Sequence, residues 1–180
     1  MMAIRPGYAP AEPSWLSKPQ VHAVGEGIAK QLGYRPGDDL NRIVEQAGGE
    51  VTLQGTLLDD PEQSGSLYVD GIDDFDIIVP SHTSLVRDRF TLAHELGHYY
   101  LHYVWPKQVG RDIPEKVYAL RKGSNRIEWE ANWFAAAFLM PKTAFRTAFR
   151  ETNGSVWDLA DHFLVSTKAI EVRIQDLGLS

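Results

Sequence analysis

Cysteine is absent from the sequence, which excludes disulfide frameworks, thiolate metal sites and cysteine nucleophiles together. Any metal ion must then be held by imidazole and carboxylate. Long apolar runs are missing too, with nothing approaching the ~20 residues needed to cross a bilayer. The opening stretch MMAIRPGYAPAEPSWLSKPQ lacks a basic segment leading into an apolar one, so neither a secretory nor a transit signal is visible. These absences predict a cytoplasmic protein with no membrane partner. Positive charge is in short supply, 18 Lys and Arg against 24 Asp and Glu for a net charge of −6. Broad contact with nucleic acid normally requires a basic patch that displaces counterions, so direct nucleic-acid binding is not expected.

The 180 residues, 43 % apolar and 23 % charged, are about one domain's worth of ordinary globular chain. Residues 1–16 hold three of the ten prolines and show no period, which marks an irregular amino-terminal arm ahead of a single domain over residues 17–180. Ser17 and Gln20 have capping-box spacing and open a helix through Ile28 and Leu32, closed by Gly33 and Pro36. GDDLNRIVEQAGG follows as a second helix, with Asp38 as N-cap and Gly48 at the exit.

Three β-type runs come next, EVTLQG, GSLYVD and FDIIVP, separated by Gly, Asp and Pro clusters. The acidic DGIDDFD between the last two lacks the residue order of a calcium loop and reads as a hairpin turn. From Thr83 to about Tyr103 the period becomes helical, with Leu85, Leu92, Leu96, Tyr99 and Tyr103 on one apolar face. A loop-rich segment follows, in which KVYAL can add a strand at the sheet edge. Asn125 to Met140 forms a strong helix whose WFAAAFLM is too continuously apolar for a surface position. Pro141 starts a further short helix, and two more complete the chain over residues 155–178, packed on the domain. The expected fold class is α+β: a small, mostly antiparallel sheet against a helical core with a buried central helix and a helical carboxy terminus.

The chemistry concentrates in TLAHELGHYYLH, residues 91–102. At ~100° per residue, His94, Glu95, His98 and His102 gather opposite the leucines and tyrosines. His94 and His98 project imidazoles from adjacent turns, roughly 6 Å apart at Cβ, a distance at which both reach one zinc ion. Glu95 lies beside them, placed to meet water without ligating the metal, as a general base must be. Gly97 leaves the helix surface open between the two histidines. His98 and His102 form a rival pair at the same spacing, but Tyr99 then stands in place of the glutamate; His102 is expected at the rim, in a hydrogen-bonding or packing role.

A catalytic zinc typically takes three protein ligands, so a third must come from elsewhere. Glu128 on the central helix shares a face with Asn132, which can accept the N–H of a liganding histidine. A buried glutamate there is costly unless a cation compensates it. Glu130, ~200° away on the wheel, is the alternative ligand. His22, His82 and His162 are isolated and are expected to be structural or on the surface.

SGSLYVD, RFTLAHELGHYYLH, EWEANWFAAAFLMP and LADHFLVSTKAIEVRIQDLGL together resemble the ImmA/IrrE family of metallopeptidases over roughly residues 20–179. The resemblance implies a zincin-like fold, Zn2+ as cofactor, His94, His98 and Glu128 as metal ligands, and Glu95 as the catalytic glutamate. Asn132 stands where related gluzincins often carry Asp. It further implies a regulatory endopeptidase whose protein substrate is a transcriptional repressor. The glutamate would pass a proton from water to the leaving amine, and an edge strand, GSLYVD the candidate, would hold substrate as an added strand. Two other readings compete. One is a zinc-containing module that binds a repressor without cutting it. The other is a helix-turn-helix DNA-binding regulator, since LADHFLVSTKAIEVRI has that cadence, with Lys168 and Arg173 on its second helix.

Overall fold

A computed structural model describes residues 5–54, 66–80, 84–120 and 125–180. His82 and the expected helix start at Thr83 lie outside the described residues. The architecture is α+β. In chain order it runs β1 (Ala9–Pro10), α1 (Lys18–Gln31), α2 (Leu40–Gln46), β2 (Gly49–Gln54), β3 (Ser66–Gly71), β4 (Asp74–Pro80) and α3 (Leu85–Tyr99). A π-helical turn (Tyr100–Val104) and α4 (Trp105–Gln108) extend α3, followed by β5 (Val117–Leu120), α5 (Arg126–Leu139), α6 (Lys142–Glu151), α7 (Val156–Phe163) and α8 (Thr167–Leu177).

The strand order is β1-β5-β3-β4-β2. Its centre, β5–β3–β4, is antiparallel, and β1 and β2 join the margins in parallel. Parallel neighbours need a connection longer than a hairpin, and whole elements intervene between the strands of each marginal pair. The expected position of GSLYVD at an edge is corrected: β3 is hydrogen-bonded on both sides and has no free ladder to offer a substrate. KVYAL, as β5, lies one strand in, covered by the arm's β1. DGIDDFD is a two-residue hairpin in which Asp73 takes φ 57° and its N–H donates to the Tyr99 hydroxyl at 2.9 Å.

Local chemistry sets the helix ends. Ser17 donates its N–H to Gln20 Oε1 at 2.9 Å, half of the capping box that starts α1. The N-cap of α2 is Asp39, one residue past the expected Asp38, because the Asp38 carboxylate accepts from Arg35 N–H in the preceding turn. Leu85, expected on the apolar face of α3, is 66 % exposed. The helical path does not end near Tyr103; it continues through the π turn and α4 to Gln108.

α5 forms the centre of the molecule, packed between α1 and α3. Small residues permit the approach. A Cβ on Gly97 of α3 would lie 3.1 Å from Ala131 Cα and O, and one on Gly25 of α1 would lie 2.9 Å from Phe134 O. Phe134, Phe138 and Leu139 are fully buried against the core. On its other side α3 meets the sheet, where Tyr99 stacks on Phe75 at 4.0 Å between centroids. The row of His94, Glu95 and His98 is thus enclosed between two helices.

α7 and α8 close over the far end of α5. Phe163 stacks on Phe145 at 5.3 Å. Arg173, fully buried, donates to Met140 O at 3.0 Å and to Glu26 at 2.7 Å. That guanidinium is consumed inside the fold, which removes one of the two cations on which the DNA-reading helix depended.

Candidate metal centre

α3 and α5 bring three side chains to one point. His94 Nε2 and His98 Nε2 are 3.0 Å apart. The Glu128 carboxylate lies 3.3 Å from the first and 3.4 Å from the second. All three are buried, His94 at 0 %, His98 at 1 % and Glu128 at 5 % exposure. Among the described residues they form a group able to hold a metal ion, with ligand atoms within 4.8 Å of one another.

Two observations test whether a metal fits. For a tetrahedral ion with bonds of about 2.0 Å to nitrogen and oxygen, neighbouring ligand atoms should stand about 3.3 Å apart. The Nε2–Nε2 separation and the shortest distance from each Nε2 to the carboxylate, one to each Glu128 oxygen, lie near that value. The second observation is the placement of protons. His94 Nδ1 lies 2.9 Å from Asn132 Oδ1, an amide oxygen that can only accept. Nδ1 therefore carries the hydrogen, and in the neutral ring Nε2 presents its lone pair to the centre. Two imidazole lone pairs and a carboxylate meeting in a buried space repel one another unless a cation lies between them.

Asn125 caps α5 by accepting the Glu128 N–H at 3.1 Å, which fixes the start of the helix that carries the carboxylate. Glu95 follows His94 directly and is fully buried.

Glu130 stands outside the triad. Its Oε2 accepts from Ser14 N–H at 2.8 Å, Ser14 Oγ at 2.7 Å and His102 Nε2 at 3.0 Å. Its Oε1 accepts from Trp15 N–H at 3.1 Å and Arg126 Nε at 2.7 Å. Burial works to raise this carboxyl, and the His102, Arg126 and Ser14 donors more than reverse that, bringing it to about 2. His102, buried as well, has its other nitrogen 3.0 Å from His98 Nδ1. Burial lowers the His102 pKa to about 4 against the opposing pull of Glu130. Sequence reasoning missed this network. The hydrogen-bonding role expected of His102 is found, but in the interior and not at the rim, and the signal for its partners was limited to the four-residue step from His98. Of the remaining histidines, His22 of α1 lies 3.8 Å from Asp176 of α8, and His162 is exposed on α7.

A family model, Peptidase_M78, described as an IrrE N-terminal-like domain, matches residues 60–175. No curated protein matches the chain. Among solved structures, a Mycobacterium tuberculosis transcriptional regulator shares the fold with a TM-score of 0.62 and 19 % identity. The match covers 87 % of this chain and 46 % of that one, so the chain spans about half the length of the structure it resembles.

Proposed function

The chain belongs to the Peptidase_M78 family of IrrE N-terminal-like domains, and from that membership we propose that it is a zinc-dependent, site-specific endopeptidase with a regulatory role. Its substrate is a transcriptional repressor or similar regulatory protein, and it acts in the cytoplasm. Residues 17–180 form the metallopeptidase unit and residues 1–16 an arm upon it. The observation that carries this reading is the convergence of two imidazole Nε2 atoms and one carboxylate at 3.0, 3.3 and 3.4 Å.

His94, His98 and Glu128 would hold the ion. Zinc, when bound, supplies Lewis acidity that activates water and polarises a peptide carbonyl. Asn132 holds the His94 ring in the tautomer that ligation requires. Glu95, next to His94 and not among the three convergent ligands, takes the proton of the attacking water on its carboxylate and returns it to the leaving amine. No described helix is long and apolar enough to cross a membrane.

Glu95→Gln is the decisive variant. It should retain about one zinc per chain and abolish the cut. New protein amino termini compared between cells expressing wild type and Glu95→Gln should include a cleavage that only the wild type produces. Identical termini would reject the peptidase. A second reading, a metal-stabilised module that binds a repressor without cutting it, is favoured by the near-complete burial of all four site residues. That reading predicts equal repressor release by wild type and Glu95→Gln.

A further inference from the structure

His98 has an acceptor problem that Asn132 does not solve, since Asn132 serves His94. The group facing His98 Nδ1 is another imidazole, His102 Nδ1 at 3.0 Å. Which nitrogen carries the hydrogen is decided one step further out. Glu130 accepts from five donors and has none of its own to give, so the hydrogen between His102 and Glu130 sits on His102 Nε2. A neutral His102 then exposes a lone pair at Nδ1, which must accept from His98 Nδ1–H. His98 Nε2 is left with its lone pair aimed at Glu128 and His94.

The end of this chain of contacts is the amino-terminal arm. Three of the five donors to Glu130 are Ser14 N–H, Ser14 Oγ and Trp15 N–H. The arm is shaped for the purpose. Trp15 adopts φ 64°, a left-handed conformation that a bulky residue rarely takes, with its indole 69 % exposed and its N–H turned inward. Arg111 holds Ser14 O at 3.1 Å, and Arg126, which also grips Glu130, donates to Leu16 O. Side chains from α5 and the loop after α4 thus clasp residues 14–16 against a buried carboxylate.

We propose that His102 and Glu130, clasped by Ser14 and Trp15 of the arm, are positioning residues that fix the tautomer and orientation of His98, making the arm part of the metal centre. This rests on His94, His98 and Glu128 being the metal site. It assigns His102 a part beyond packing and Glu130 one beyond a rejected ligand.

The test measures Zn2+ affinity of the purified full chain by competition with a chromophoric chelator, together with the visible spectrum of the Co2+-loaded protein and long-range 1H–15N spectra of the histidines. Wild type should show His98 protonated at Nδ1 and His102 at Nε2. Outer partners of metal-bound histidines typically contribute ~10–100-fold in affinity. His102→Leu should therefore bind zinc about 10–100-fold more weakly with a shifted cobalt spectrum, and His102→Gln, whose side-chain oxygen can still accept from His98, should recover most of the loss. Ser14→Ala should weaken binding in the same direction by a smaller factor. If His102→Leu fails to fold, Glu130→Gln carries the same expectation. Wild-type affinity and spectrum in His102→Leu, or in Glu130→Gln where that variant stands in, would overturn the proposal, as would His98 protonated at Nε2. Unchanged affinity in His98→Ala would instead remove the metal site itself.

Discussion

A ligating histidine needs its second nitrogen held, and at the residue scale the centre does this in two unlike ways. His94 leans on an amide oxygen at 2.9 Å, on a side chain only partly buried. Replacing Asn132 by Leu keeps the size and removes the acceptor, so His94 becomes free to place its hydrogen on either nitrogen. Zinc affinity should fall by about tenfold, read by chelator competition, with the far-ultraviolet circular dichroism unchanged. Asn132→Asp, which supplies a charged acceptor at the same place, should bind at least as tightly as wild type. Glu128 and Asn132 were legible as a unit because one helical turn separates them and both lie at the start of a strongly apolar helix. The partnership of Glu130 with His102 was not. The wheel sets Glu130 roughly 200° from Glu128, and nothing in the local pattern announces that an irregular arm of the chain returns to surround a carboxylate with donors.

Elements place these residues through their distance from one another. α3 and α5 bring the candidate ligands together because Gly97 lets the helices touch, with Ala131 Cα and O 3.1 Å from where a Cβ would be. Alanine there gains roughly 1 kcal/mol in helix propensity but pushes into the backbone of a packed neighbour, where overpacking costs about 1–3 kcal/mol. Gly97→Ala should therefore lower the melting temperature and loosen zinc together. Gly27, exposed on α1 with nothing within 4 Å of its Cβ position, is the control. Gly27→Ala should raise the melting temperature by a few degrees and leave zinc affinity alone. Periodicity revealed the apolar side of α3 and the buried α5, since both follow from where apolar residues recur. It could not reveal the π turn at Tyr100–Val104, whose extra residue per turn resets the direction of His102 without altering composition. Sheet order was hidden for a similar reason: which strand lies at an edge depends on crossovers, not on the alternation within any one strand.

At the scale of the whole molecule, α5 is gripped at both ends by sequence-distant chain. The arm holds its beginning through Glu130, with an unfavourable Trp15 backbone worth about 1–3 kcal/mol maintained by that grip. α1 and α8 hold its end through Arg173, which joins Met140 O to Glu26. His22 sits inside this second clamp, facing Lys18 and Glu26 from α1 and Arg173 and Asp176 from α8. Burial, aided by the Arg173 charge, lowers its pKa from 6.5 to about 4 despite Asp176. The folded protein thus holds this imidazole neutral over a range in which the unfolded chain binds a proton. The unfolded state carries more protons between those two values, so stability is full above pH 6.5 and declines as the pH falls towards 4. The slope is at most about 1.4 kcal/mol per pH unit, reduced by solvent reaching the clamp. Melting temperatures of wild type and His22→Gln, measured across this range, should converge or cross as the pH falls, because glutamine has no proton to gain. Parallel curves would mean that the imidazole is already charged in the fold, and that the clamp tolerates a third cation beside Lys18 and Arg173.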